Sequence, residues 1–244
     1  MKMESWCSIC SKQQTFSSED DYYSCRASLV SRGCPFNRCV TRERAMAKVL
    51  FDIHGRDHLN GLSIHEAAPA WRGLSLYLAD LDSPNYVCSG YFKDKPFGIG
   101  VGRFINQDLQ RQTFGDQVFD LVLHLDVLEH LFEPFKALGE IYRTLKAGGR
   151  CIFTVPTYPE LIKSKRVAGL SEGGEIFYIE KAEYHGNPQD PDNGSLVTWK
   201  YGYDLPLLIS RFTKFDVEVR RWQDRSSAIC GPMTEVYICT RPHE

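Results

Sequence analysis

Long apolar runs are missing from this sequence: none approaches the roughly 18 residues that a membrane-crossing helix needs. Its start, Met1-Lys-Met-Glu-Ser-Trp-Cys7, does not open the apolar stretch of about 7–15 residues found in a secretory leader. Charge of one sign is lacking too. The 29 Lys and Arg are met by 31 Asp and Glu, for a formal net charge of -2, so no global attraction draws the chain to nucleic acid or an anionic membrane. Internal repeats and low-complexity tracts are absent. No Gly-x-Gly-x-x-Gly follows the first strand-like segment, which argues against a dinucleotide-dependent dehydrogenase. Together these absences predict a cytoplasmic globular protein with no membrane span, for which nucleic acid is an unfavoured partner.

What is present fits one α/β domain and a small extra module, for which 244 residues give room. Of nine cysteines, Cys7, Cys10, Cys25, Cys34 and Cys39 crowd into the N-terminal segment. In a reducing compartment such a cluster points to thiols or metal ligands before disulfides. Zinc takes four ligands tetrahedrally, often supplied as two close pairs. Cys7-x-x-Cys10 is one pair, and Cys34 with Cys39 is a looser second. The spacing predicts a structural zinc site of Cys7, Cys10, Cys34 and Cys39, against the simpler reading of four reduced thiols. Cys25 is left as a substitute ligand or a free thiol. So small a segment has little core of its own, and a metal would supply its folding energy.

The division expected is therefore residues 1–40 as a zinc module and 41–244 as the main domain. Thr41 reads as the N-cap of a helix, with Arg44 on its exposed face. Arg26, Arg32, Arg38, Arg42 and Arg44 give this end a basic cast, open to nucleic acid, a protein, an acidic glycan or plain solvation. Cys88, Cys151, Cys230 and Cys239 lie among apolar residues and read as core.

From Leu62 onward strands and helices alternate. Leu62–Glu66, Tyr86–Ser89, Arg103–Asn106, Phe119–Leu125 and Arg150–Val155 read as strands, with helices over Gly73–Leu81 and Phe135–Leu145. Lys146-Ala-Gly-Gly149 reads as a basic last turn with a glycine stop. Helix-length crossovers imply a mainly parallel sheet covered on both faces. A further helix over Leu205–Phe212 precedes two strands, Phe215–Trp222 and Glu235–Thr240, close enough to pair antiparallel. Tyr158–Tyr203 is long, poor in period and rich in Gly, Pro, Asn and Asp, which marks a functional insertion more often than an idle loop.

Phe119-Asp-Leu-Val-Leu-His-Leu-Asp-Val-Leu-Glu-His130 followed by Leu-Lys-Ala-Gly-Gly-Arg150 and the strand to Pro156 resembles class I S-adenosylmethionine-dependent methyltransferases of the type 11/12 kind. The likeness extends more weakly over Leu62–Thr240. Glu183-Tyr-His-Gly-Asn-Pro188 and a cysteine-bearing N-terminus resemble one bacterial group among them. The resemblance implies a doubly wound, mainly parallel, seven-stranded Rossmann-like sheet. It also implies roles for residues after each strand, where such sheets bind ligands.

Glu66, Ala67, Ala68, Pro69 and Ala70 would approach the methionine part of the cofactor, with alanines where the family has glycines. Ser89 and Gly90 stand where the family places an acid for the ribose hydroxyls. A missing charge-assisted bond there weakens binding by about 1.5–3 kcal/mol. Asp108 and Leu109 would meet the adenine, and His124, Leu125 and Asp126 would floor the site.

Methyl transfer requires an aligned acceptor and, for oxygen or nitrogen, a base. His185 is the candidate base, or else it merely braces its loop. His130 is a second candidate, or a packing residue. The function implied is methyl transfer to an O or N acceptor, either a small molecule, a sugar or glycan, or a lipid-linked group. The alternative is a degenerate fold that binds partners through its cysteine module. RNA methylation is a third reading, and it predicts salt-dependent RNA binding that collapses when Arg42 and Arg44 are neutralised.

Overall fold

The computed structural model describes residues 1–187 and 192–243. The chain opens with an antiparallel hairpin of β1 (Lys2–Cys7) and β2 (Lys12–Ser17). An irregular stretch then leads to α1 (Thr41–His54). Next come β3 (Ile64–Ala67), α2 (Gly73–Asp80), β4 (Tyr86–Gly90), β5 (Gly100–Val101), β6 (Phe104–Asn106) and β7 (Phe119–Leu125). After β7 follow α3 (Pro134–Thr144) and β8 (Leu145–Thr154). Among its described residues the insertion carries six short strands: β9 (Lys165–Arg166), β10 (Ala168–Leu170), β11 (Ile176–Tyr178), β12 (Tyr184–His185), β13 (Ser195–Leu196) and β14 (Trp199–Lys200). The chain closes with α4 (Leu205–Phe212), β15 (Asp216–Arg220) and β16 (Val236–Thr240).

Eight strands form the main sheet in the order β15-β16-β8-β7-β3-β4-β6-β5. Pairs β3 with β4, β3 with β7, β4 with β6, and β7 with β8 are parallel. The strand β16 runs antiparallel between β15 and β8. The expected seven strands are there, and two-residue β5 adds an eighth at the edge. Strand order reverses between β3 and β7, which creates the crevice where doubly wound sheets take ligands.

Alternation along the strands splits the core in two. Leu121 and Leu123 of β7, Ile152 of β8 and Ile238 of β16 face a cluster with α1, α2 and the N-terminal segment. Val122, Cys151, Phe153, Tyr237 and Cys239 face the other way, onto α3, α4 and Tyr201 of the insertion. Cys88, Cys151, Cys230 and Cys239 are all buried, as their apolar settings predict. The N-terminal segment has no separate core: Cys7, Ile9, Phe16 and Leu29 pack in the same cluster as Val49, Leu50, Ile64 and Leu74.

Three local readings are corrected. The expected glycine stop is part of β8, whose register against β7 shifts near Phe119 and Leu121 while Gly148 bends the chain at φ 74°. Helix α1 is capped at Val40, whose N–H donates to Glu43 Oε2 at 2.9 Å, and Thr41 is already helical. Arg44 is not on an exposed face. Its guanidinium is wholly buried, 4.3 Å over the Phe16 ring, and donates to the carbonyls of Ala228, Leu29 and Cys39 and to Thr41 Oγ1.

Those acceptors belong to three separate stretches, so Arg44 ties the N-terminal segment to the loop before β16. Each buried polar group left unpaired costs about 1–3 kcal/mol. Arg44→Met, which keeps much of the volume, is expected to lower stability by roughly 3 kcal/mol or more in urea unfolding; a change under about 1 kcal/mol would mean these carbonyls find other partners.

Candidate functional site

At the carboxyl end of β3 the Glu66 side chain is buried, accepting from Tyr86 OH at 2.6 Å and Ser75 Oγ at 2.5 Å. Burial foremost raises its pKa to about 7 against those two donors. Ala68 takes φ 52°, the left-handed conformation that the family's glycine would adopt freely. Its N–H donates to Ser89 O at 2.8 Å, and Ala70 N–H to Ser75 Oγ at 3.3 Å. Ala67 and Pro69 complete this turn, which the N-terminal segment covers. Gly73 N–H donates to Phe36 O, Arg72 pairs with Glu43 at 2.8 Å, and a Cβ at Gly73 would collide with the Glu43 carboxylate.

At the end of β4, Ser89 Oγ is taken by His65 Nε2 at 2.8 Å, and Gly90 O accepts from Gln107 N–H. No carboxylate stands at either position. Beyond β6, Asp108 Oδ1 accepts from Gln110 N–H at 2.9 Å, while Leu109 is buried against Ala67 and Ala137. His124 in β7 is fully buried and stacked on Phe153 at 4.6 Å, and neither ring nitrogen has a hydrogen-bond partner. Burial foremost, then His65, lowers its pKa to about 3. Leu125 ends the strand, half-buried.

Asp126 follows at φ 51°. It accepts from Arg26 Nη2 at 3.0 Å and Thr154 Oγ1 at 2.9 Å, and Arg42 Nε lies 2.7 Å away. Burial pushes the carboxyl up, but Arg26 and Arg42 together outweigh it and hold it well below its usual range. Thus Arg42 faces the site and Arg44 the core. The clamp itself was missed from the sequence, because its partners lie far apart along the chain.

The two candidate histidines come together. His130, in the turn Leu128–His130, and His185, in β12, meet edge to face with ring centroids 5.2 Å apart. Between them is Glu129, a residue the sequence pattern did not single out, with its carboxylate 2% exposed. Its Oε1 is 3.7 Å from His130 Nε2 and 3.8 Å from His185 Nδ1. His185 is held above the ordinary imidazole range, foremost by Glu129 and against its burial. Glu183 adds a contact to His185 Nε2 at 3.3 Å and is itself paired with Lys200 at 2.9 Å. The rest of the Glu-Tyr-His-Gly-Asn-Pro motif runs into Pro188–Pro191, outside the described residues.

The cysteines also converge. Ligand atoms of Cys7, Cys10 and Cys34 lie within 4.8 Å of one another. Cys39 Sγ is 3.6 Å from Cys7 Sγ and 3.9 Å from Cys34 Sγ. Sulfurs held about 2.3 Å from a tetrahedral zinc are roughly 3.8 Å apart, so Cys7, Cys10 and Cys34 form the compact group, and Cys39, beside two of them but outside that group, would have to close in to complete the four. The Cys34 and Cys39 thiols, with the backbone N–H groups of Cys10 and Ile9, hold Cys7 well below the usual thiol range, whereas Cys39, Cys7 and burial push Cys34 up despite the Phe36 N–H at its sulfur. Arg44 Nη1 stands 3.7 Å from Cys39 Sγ and offsets negative charge there. Cys25 lies apart, donating to Tyr22 O at 3.4 Å.

Residues 62–153 match the family described as a methyltransferase domain, a stretch running from just before β3 to within β8. An S-adenosylmethionine-dependent methyltransferase from Mesorhizobium loti superposes with a TM-score of 0.52 at 13% identity, covering 81% of this chain and 98% of that one. A Listeria monocytogenes protein described in similar terms gives 0.52 at 11% identity, covering 83% and 99%. At these identities the likeness establishes the shared fold. No curated protein matches the chain. Among the described residues, no helix is long and apolar enough to cross a membrane.

His124 supplies a pH test of the site floor. Unfolding lets it bind a proton below about 6.5, while the folded protein resists this down to about 3. Its contribution to stability is therefore complete above the first value and lost as pH falls towards the second. His65 acts in the same sense, and Glu66 in the opposite one between about 4.5 and 7. His124→Phe keeps the stack on Phe153 and removes one such proton. It is expected to flatten the acid limb of the stability curve by about 1.4 kcal/mol per pH unit between pH 4.5 and 6; an unchanged slope would show that His124 is protonated in the folded protein.

Proposed function

We propose that the chain is a class I S-adenosylmethionine-dependent methyltransferase that methylates an oxygen or nitrogen acceptor, using Glu129, His130 and His185 on the acceptor side. The observation that carries this reading is the meeting of two histidines and a buried carboxylate just beyond β7, at the edge of the crevice where strand order reverses. The acceptor's lone pair attacks the methyl carbon, and the carbon–sulfur bond breaks with its electrons staying on sulfur. The acceptor's proton passes to the Glu129–His185 pair. Such a step needs alignment and a base, and little else from the protein. The acceptor class proposed is a small molecule, a sugar or glycan, or a lipid-linked group, and the compartment proposed is the cytoplasm.

On the cofactor side, Glu66 to Ala70, Ser89, Gly90, Asp108, Leu109 and His124 to Asp126 are assigned to S-adenosylmethionine. Gly90 brings no acid to the ribose, and Ser89 is engaged by His65, so affinity is modest. Zinc held by Cys7, Cys10, Cys34 and Cys39 is assigned a structural role: it fixes the segment that carries Arg26 and Arg42 to Asp126. A second reading, a binding protein on the same fold, is favoured by the acid missing at Gly90 and the left-handed Ala68.

Calorimetric titration with S-adenosylhomocysteine separates the two. Saturation below millimolar ligand is expected, with Gly90→Asp tightening binding about tenfold or more if the new carboxylate reaches the ribose. Absence of heat at millimolar ligand would leave only the binding-protein reading. Elemental analysis of the full chain is expected to find one zinc, released when Cys10 is replaced by Ser, together with a loss of thermal stability. A zinc-free protein with unchanged melting would remove the structural-metal assignment.

A further inference from the structure

Glu129 is unusual in being buried and unserved. Its backbone is fixed, since Thr198 donates to Glu129 O through N–H at 2.7 Å and Oγ1 at 3.0 Å. Tyr201 OH pins the preceding Leu128 O at 3.0 Å. Yet among the described residues neither carboxylate oxygen has a hydrogen-bond partner, although the side chain is only 2% exposed. A buried carboxylate in that state is costly unless something positive sits against it.

The neighbouring imidazoles are arranged to leave that place open. His130 Nδ1 is 2.9 Å from Leu196 O, and a carbonyl only accepts, so Nδ1 carries the hydrogen. His185 Nε2 faces Glu183 Oε1 at 3.3 Å, which fixes its hydrogen in the same manner. In the neutral rings the bare nitrogens are then His130 Nε2 and His185 Nδ1, and both face Glu129 Oε1, at 3.7 and 3.8 Å. Three lone-pair donors thus surround one point, at separations longer than a hydrogen bond. One proton placed on either ring would satisfy only half of the arrangement. An ion bound at about 2.0–2.2 Å brings such ligands to roughly 3–3.6 Å from one another, a small closure from what is observed. Hydrogen bonds on the far nitrogens are the outer contacts by which proteins orient metal-binding histidines.

We propose that Glu129, His130 and His185 form a binding site for a divalent transition-metal ion, distinct from the cysteine site. Two nitrogens and one carboxylate suit zinc, iron, nickel or manganese and leave coordination positions free. His185 and His130 keep 31% and 16% of their side chains exposed, so the free positions are open to the acceptor side. The consequence for substrate, which rests on the methyl-transfer reading, is an acceptor that ligates the ion through two oxygens, such as a vicinal diol or a hydroxy acid. Glu183 is a positioning residue here: it orients His185 and is itself neutralised by Lys200.

The test uses the full chain with its cysteine site filled by one equivalent of zinc, titrated with Co2+ and followed by visible absorption. One further equivalent is expected to bind, with ligand-field bands and without a thiolate-to-cobalt charge-transfer band. Glu129→Gln and His185→Ala are expected to abolish those bands while keeping the wild-type circular dichroism and zinc content. Glu183→Gln is expected to weaken cobalt binding by about tenfold or more. No uptake beyond the zinc, or uptake unchanged in Glu129→Gln, overturns the proposal. Parallel titration with S-adenosylhomocysteine keeps the two readings apart. Cofactor binding without cobalt uptake leaves methyl transfer standing with a proton-accepting Glu129–His185 pair, and cobalt uptake without cofactor binding leaves the ion site alone.

Discussion

The carboxylate of Asp126 sits where β7 ends and the chain turns, in a left-handed conformation, towards Leu128–His130. Nearly buried, it would be strongly destabilising alone, and its burial is offset by two guanidinium groups that both come from before β3. Arg26 also donates to Met233 O at 2.8 Å, so one side chain joins the N-terminal segment, the end of β7 and the loop before β16. Thr154, at the end of β8, supplies the remaining bond. The position of the N-terminal segment over the crevice follows from this contact, as does the course of the chain into Glu129. Removing either arginine leaves the buried carboxylate only one guanidinium and Thr154 to offset its charge.

The same constraint divides the crevice. On the β3 and β4 side the acid and the hydroxyl nearest the turn are already paired: Glu66 with Tyr86 and Ser75, Ser89 with His65 Nε2. What remains for a ligand there is backbone and small side chains, as suits a cofactor held by close approach. On the β7 side the insertion brings Glu183 and His185 against Glu129 and His130. There the polar groups are under-satisfied, and unsatisfied buried groups are where chemistry tends to be found. The cysteine cluster lies on neither side. Cys39 immediately precedes Val40, the cap of α1, and so stands close in the chain to the arginines of that helix.

Much of this was readable from residue order. The strand Phe119–Leu125 and the helix Leu205–Phe212 fall on the residues their apolar periodicity marks, and Cys7, Cys10 and Cys34 draw together with Cys39 beside Cys7 and Cys34. His130 and His185 were each singled out, though nothing in their local sequence states that they touch. Other features were illegible for physical reasons. A long cation such as Arg44 looks solvent-facing until its acceptors, Leu29 O and Ala228 O, are folded around it. The Arg26–Asp126 contact spans 100 residues and leaves no periodic trace. Glu129, one acid beside a histidine, acquires its character only when the insertion buries it.

The central claim is that one site unites the cofactor crevice with the Glu129–His130–His185 cluster. A crystal structure of the full chain with bound S-adenosylhomocysteine tests it most directly. With reacting atoms about 3–3.5 Å apart and a base within a hydrogen bond of the acceptor, the cofactor sulfur is predicted to lie between the ends of β3 and β7, within about 8 Å of Glu129 or His185. A cofactor seated elsewhere, or one whose sulfur faces away from the three side chains, would contradict the account.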